Sequence, residues 1–182
     1  MMLQKLLFSK RSSSSWINQS LIISRHNGIV SCKLEGMMEK LNLIGALTAV
    51  AFFVSAILVF SFRLLGKPQF GHWIGYFEFA LAIPLIYLLI KAPAAHRPTI
   101  YYIQIGAILL WLVVELLLDY ILKIDFRQTR WMVISYVTLF FAGSGGLVGI
   151  TQLAGKGWSV ASIVLFLIMA VLTFVQRAVT GM

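Results

Sequence analysis

Two carboxylates stand out because they lie inside a stretch of the chain that is otherwise apolar. Glu115 and Asp119 belong to residues 99–122, TIYYIQIGAILLWLVVELLLDYIL, a run long enough to cross a bilayer as a helix. A charged side chain at membrane depth costs about 2.5–3.5 kcal/mol on insertion scales, and such residues usually face a bundle interior or water. Acids in this setting can bind protons, cations or polar solutes, or act as general acid and base.

Helical geometry places both acids on one face. At about 100° per residue, a single stripe of this run contains Tyr101, Gln104, Ile108, Trp111, Glu115 and Asp119. The opposite face is aliphatic and suits lipid or a packed helix. The polar stripe therefore requires polar partners from other parts of the chain.

A third acid, Glu78, lies near the start of the apolar run that begins at Trp73. Antiparallel helices joined by a short loop pack side by side, which brings Glu78 level with Glu115. Pro84 in the same run predicts a kink that opens space beside Glu78. We therefore predict one polar pocket centred on Glu115 and formed by Arg63, His72, Glu78, Glu115, Asp119 and Arg177.

Composition supports a membrane protein. Of the 182 residues, 60% are hydrophobic and only 12% are charged, whereas charged residues make up about 25% of an average soluble domain. The mean hydropathy is +0.91. We predict an all-α, polytopic integral membrane protein with five transmembrane helices at residues 41–62, 73–91, 99–122, 131–153 and 158–179.

Small residues mark the fourth of these helices. Its second half contains two pairs spaced four apart, Ala142 with Gly146 and Gly145 with Gly149. Such pairs allow close approach of another helix backbone. The pattern predicts that this helix is the most tightly packed, either within the chain or against a second copy or a membrane partner.

The N-terminal stretch differs from the rest. Residues 1–34 are basic and rich in serine, with no acidic residue, which is the composition of a mitochondrial presequence. Two other interpretations remain open: translation beginning at Met37, or a disordered tail. All three predict a disordered extension at residues 1–39 and a transmembrane domain at residues 40–182. The membrane is a cell inner or plasma membrane, or the mitochondrial inner membrane if residues 1–34 are a presequence.

Several classes of site and partner are not supported by the sequence. Cys32 is the only cysteine, so no intrachain disulfide can form. No Glu-x-x-His pair of a di-metal bundle occurs, and no nucleotide, haem or flavin motif is present, so we predict neither metal nor cofactor.

The net charge of +9 comes from basic residues in the N-terminal stretch and at segment ends, where they meet lipid headgroups rather than nucleic acid. Ser144 lies in AGSGG, which lacks the strand and first glycine of a hydrolase elbow.

Three classes of function fit these features. A proton- or small-solute-handling carrier would use the carboxylates as protonatable groups. A structural or accessory subunit of a membrane complex would assemble through the fourth helix. A lipid-modifying membrane enzyme would use the carboxylates as acid and base, although no catalytic residue can be assigned and the sequence favours a protein that is not an enzyme.

The first testable prediction concerns orientation. Of the 15 lysines and arginines, nine lie on the N-terminal side of the five spans and six on the other side. If translation begins at Met37, the N-terminal side keeps only four. Because the side richer in basic residues stays cytoplasmic, we expect a working chain that begins at Met37 with a cytoplasmic C-terminus. A C-terminal fusion to green fluorescent protein should fluoresce, and a C-terminal alkaline phosphatase that is active outside the cytoplasm would contradict this orientation.

Overall fold

The computed structural model of the protein describes residues 35–122 and 130–180. The predicted N-terminal extension up to residue 34, and most of the charged loop after the third span, lie outside the described residues. The described part is helical and contains no strand.

Six α-helices follow one another in the described residues. They are α1 (Glu35–Leu64), α2 (Pro68–Ala80), α3 (Ala82–Lys91), α4 (Thr99–Glu115), α5 (Arg130–Thr151) and α6 (Lys156–Thr180). A π-helical turn, Leu116–Ile121, continues α4, and a short 3-10 turn, Gln152–Ala154, continues α5.

These elements form five helical spans in the described residues, each long and apolar enough to cross a membrane. The spans are Glu35–Leu64, Gln69–Lys91, Thr99–Asp119, Arg130–Ala154 and Lys156–Val179. The sequence prediction of five such helices is confirmed. This agreement follows from composition, because a run of about 20 apolar residues in a helix has the length of the hydrocarbon core.

The first span begins earlier than predicted. Residues 35–39 are helical and belong to α1, although the sequence analysis assigned them to a disordered extension. Met and Glu are good helix formers, and Glu35 and Glu39 lie toward the helix N-terminus, where negative charge is favourable. Their polarity places them outside the predicted apolar span, but they still extend the helix.

The second span is interrupted at Leu81, between α2 and α3. Pro84 explains the break, because it has no N–H to donate and its ring clashes with the carbonyl group four residues earlier, which is that of Ala80. The Leu81 N–H is shared between the carbonyl oxygens of Phe77 at 3.2 Å and Glu78 at 3.1 Å. The irregular turn therefore begins at the backbone of Glu78.

The first span is the most buried. In its most apolar stretch 50% of the residues are buried, against 33% for the fourth span. Ala46, Ala49, Phe52, Phe53 and Ala56 of α1 are all buried. Burial does not measure how closely two helices approach, so the prediction that the fourth helix is the most tightly packed stays a prediction. Close approach between backbones does not require a helix to be surrounded on all sides.

Close approach does occur between α5 and α4, through the predicted Gly146 and Gly149 and through Gly143, which was not predicted. A Cβ atom added to Gly143 would lie 2.9 Å from the Cα atom of Ile108, and one added to Gly146 would lie 3.1 Å from the Cα atom of Gln104. Gly149 also faces the Gln104 side chain.

Ala142 and Gly145 do not lie at this interface. Both are exposed, and a Cβ atom added to Gly145 meets nothing within 4 Å. The two predicted pairs each place one member at the interface and the other outside it. The contact instead follows the i, i+3 spacing of Gly143 and Gly146, which share a helix face as well as i, i+4 residues do.

This geometry predicts opposite outcomes for two neighbouring glycines. Gly146→Leu should lower the free energy of unfolding by about 1–3 kcal/mol, because the side chain has to push apart two backbones already in contact. Gly145→Leu is the matched control, since the added side chain enters open space. Thermal unfolding of both variants in the same detergent measures the difference, and equal melting of the two would show that α4 and α5 are not in close contact.

Candidate functional site

A cavity of about 180 Å³ opens between α1, α2, α4, α5 and α6. Eight of its described lining residues have charged or hydrogen-bonding side chains: Arg63, Glu78, Trp111, Glu115, Tyr136, Thr173, Gln176 and Arg177. The rest of the wall is mainly aromatic and aliphatic. The cavity thus combines an apolar lining with a few convergent polar groups, as ligand-binding sites do.

Glu78 is buried and is held by a hydrogen bond from α1. Its side chain is only 5% exposed, and the Ser55 hydroxyl group donates a hydrogen bond to Glu78 Oε1 at 3.1 Å. Ser55 is itself buried in α1, with its hydroxyl 2.8 Å from the carbonyl oxygen of Phe52. Because the helix is interrupted three residues later, the end of α2 turns this carboxyl group toward α1.

Glu115 ends α4 and directly precedes the π-helical turn. Tyr136 of α5 forms a side-chain hydrogen bond with it. The second carboxyl oxygen, Oε2, is buried and has no hydrogen-bond partner among the described residues. Glu115 therefore keeps one unused polar atom at the cavity.

Trp111 lies one helical turn before Glu115 and presents a second unused group. It is 3% exposed, and its indole Nε1–H has no hydrogen-bond partner in the described part of the chain. Buried donors and acceptors are nearly always paired in native proteins. The unpaired N–H donor of Trp111 and the unpaired acceptor oxygen of Glu115 are therefore available for hydrogen bonds to a polar ligand.

Aromatic rings make up the apolar wall. The Trp111 ring lies 5.0 Å from Phe140 and 6.2 Å from Tyr136, measured between ring centroids. Phe141 of α5 and Phe174 of α6 also line the cavity, and their rings stack with centroids 6.2 Å apart. Edge-to-face and offset contacts of this kind hold the rings in defined orientations. Aromatic side chains from α4, α5 and α6 thus form much of the cavity wall.

Acidic groups outnumber basic groups around Glu115 in the described residues. The charged groups that act on Glu115 are Glu78, Asp119 and Arg63, and the same groups act on Tyr136. Among the described residues, this makes three acids, with Glu115 itself, against one base; Arg177 also lines the cavity, but it is exposed. The inner part of the cavity is therefore a favourable environment for a proton or a cation.

Four of the six residues proposed from the sequence line this cavity: Arg63, Glu78, Glu115 and Arg177. Asp119 is not on its wall, although it acts on Glu115 through its charge. Asp119 lies within the π-helical turn that follows Glu115. The side chain of His72 lies outside the described residues.

Ser55, Tyr136, Thr173 and Gln176 were not among the predicted site residues. Glu115 and Tyr136 lie at similar distances from the loop that joins the third and fourth spans. Because these spans are antiparallel, the similar distances indicate that the two side chains can meet. Ser55 gave no such signal, because a serine can donate to its own helix backbone and needs no other partner. Thr173 does so as well, donating to the Met169 carbonyl oxygen at 2.9 Å.

No family model, curated protein or solved structure matches the chain. The function of the cavity is therefore argued from its own residues and geometry.

Proposed function

We propose that this chain is an integral membrane protein that carries a small solute across the bilayer, with Glu78 and Glu115 as the groups that exchange protons or ions during transport. The observation on which this depends is the placement of two acids, from α2 and α4, on the wall of one cavity inside a bundle of membrane-length helices.

The outer surface of the bundle supports a membrane location. Large aliphatic side chains are exposed along the helices, among them Ile83, Ile90, Ile103, Leu110, Val160, Leu167 and Val171. Contiguous apolar surface of this extent is rare on soluble proteins. Trp73 and Trp131 are exposed near the starts of their spans, where interfacial aromatic residues occur.

The depth of the acids supports a role in transport. Glu78 and Glu115 lie within the candidate spans, where a purely structural bundle has little need for charged side chains. Placing them there is costly, and intramembrane acids commonly form proton relays and ion pathways. The cavity also gives them access to a solute, which acids paired entirely within protein would not have.

A second role, as a subunit assembled through α5, is favoured by one feature. Ala142 and Gly145 leave open space on the exposed side of that helix, where a helix of another protein can approach. The glycines that pack most closely, Gly143 and Gly146, already contact α4 of the same chain. We therefore place the carrier function first.

Transport is tested with the purified protein in liposomes that contain a pH-sensitive dye. Gradients of benzyltrimethylammonium, phenylmethanesulfonate and phenylalanine represent a cation, an anion and a zwitterion of similar size. We expect at least one gradient to change the internal pH faster than in protein-free liposomes, since movement of the solute is coupled to protonation of the carboxyl groups.

Two variants decide whether this activity belongs to the cavity. Glu115→Gln should abolish the pH change, because the amide cannot exchange a proton. Lys156→Gln at the exposed start of α6 is the control and should keep it. The carrier proposal fails if none of the three gradients moves protons, or if Glu115→Gln transports as well as the unmodified protein.

A further inference from the structure

The buried atoms of the cavity wall that have no hydrogen-bond partner indicate which groups a ligand would have. Glu115 Oε2 accepts hydrogen bonds, and Trp111 Nε1–H donates one, and both are buried without a partner among the described residues. The two residues are four positions apart on α4, so their side chains lie on the same face of the helix. A ligand that satisfies both has to contain a donor and an acceptor separated by a short distance.

Charge indicates that the donor is a cation. Of the described residues on the cavity wall, the two acids Glu78 and Glu115 outnumber the one arginine that is not exposed, Arg63. Arg177 also lines the cavity, but its side chain is exposed, where water and salt screen its charge. An ammonium group that donates to Glu115 would meet a surplus of negative charge and form a charge-assisted hydrogen bond.

The aromatic wall and the cavity volume indicate the chemical character and the size of the rest of the ligand, apart from its polar groups. Trp111, Phe140 and Tyr136 form one continuous aromatic surface beside Glu115. Such faces attract both cations and apolar rings. The volume of about 180 Å³ is below that of pockets for drug-sized ligands, which begin at about 300 Å³. The cavity therefore suits a molecule with a single ring or a short aliphatic body.

We infer that the cavity binds a small organic ammonium ion with an apolar body and a hydroxyl oxygen beside the ammonium group. The ammonium group donates to Glu115 Oε2, the hydroxyl oxygen accepts from Trp111 Nε1–H, and the apolar body packs against Phe140 and Tyr136. This inference rests on the proposed carrier function, for which it specifies the class of solute.

Three probes that share one skeleton test the charge. They are 2-amino-1-phenylethanol, 1-phenyl-1,2-ethanediol and mandelate, which have the same phenyl ring and benzylic hydroxyl group and differ in bearing an ammonium, a hydroxyl or a carboxylate group. Calorimetric titration of the full chain in detergent should show that the ammonium compound binds about tenfold or more tightly than the diol, because its hydrogen bond to a carboxylate is charge-assisted. Mandelate should bind most weakly of the three.

Two variants test the assigned contacts. Glu115→Gln should weaken binding of 2-amino-1-phenylethanol about tenfold, whereas Lys156→Gln should leave it unchanged. Trp111→Phe should weaken binding of 2-amino-1-phenylethanol but not of 2-phenylethylamine, which lacks the hydroxyl group. A substitution that merely loosened the fold would weaken both compounds equally. The comparison of the three probes on the unmodified chain decides the question even if Glu115→Gln does not fold.

The outcomes separate this inference from the carrier proposal. Tightest binding of the ammonium compound, with the hydroxyl-dependent effect of Trp111→Phe, supports the inference. Equal or tighter binding of the diol or of mandelate overturns the inference and leaves a solute-binding cavity. Binding of none of the probes overturns the inference, and the absence of proton movement in liposomes separately overturns the carrier proposal.

Discussion

Burial of two carboxyl groups among apolar helices is the constraint on which the rest of the structure depends. A carboxyl group removed from water needs hydrogen bonds or charges to offset the loss of hydration. Ser55 supplies one of these for Glu78, and Tyr136 supplies one for Glu115. These contacts join α1 to α2 and α4 to α5, so the acids determine which helix faces meet at this end of the bundle.

The spacing between α4 and α5 follows from the size of the side chains on α5. The two helices are antiparallel, with Gln104 opposite Gly146 and Ile108 opposite Gly143. Farther along, Trp111 meets Phe140, and Glu115 meets Tyr136. Glycines permit backbone contact in the first half, whereas large rings separate the helices in the second half. The cavity lies in the half where the rings are.

Both acids lie next to a helix irregularity. Glu78 precedes the break that Pro84 imposes at Leu81, and Glu115 directly precedes the π-helical turn. Single π-helical turns within α-helices frequently occur at functional sites, because they re-orient a side chain without ending the helix. The two irregularities lie at the same end of the bundle and direct their carboxyl groups toward one space, and this is what distinguishes the cavity from an ordinary packing gap.

The sequence alone determined the class of fold and the spans, because hydropathy over about 20 residues is a property of composition and needs no tertiary contact. It also singled out Glu78, Glu115, Arg63 and Arg177, since a charge in an apolar run is visible without a structure; their function stays a proposal. Tertiary structure decided that Asp119 lies off the cavity wall, because the wall is formed by several helices whose relative positions the sequence does not show. It also decided which glycines pack against α4 and that Ser55 and Tyr136 partner the acids. In each case the outcome depends on the rotation of one helix relative to its neighbour, which side-chain packing determines only after the whole bundle has formed.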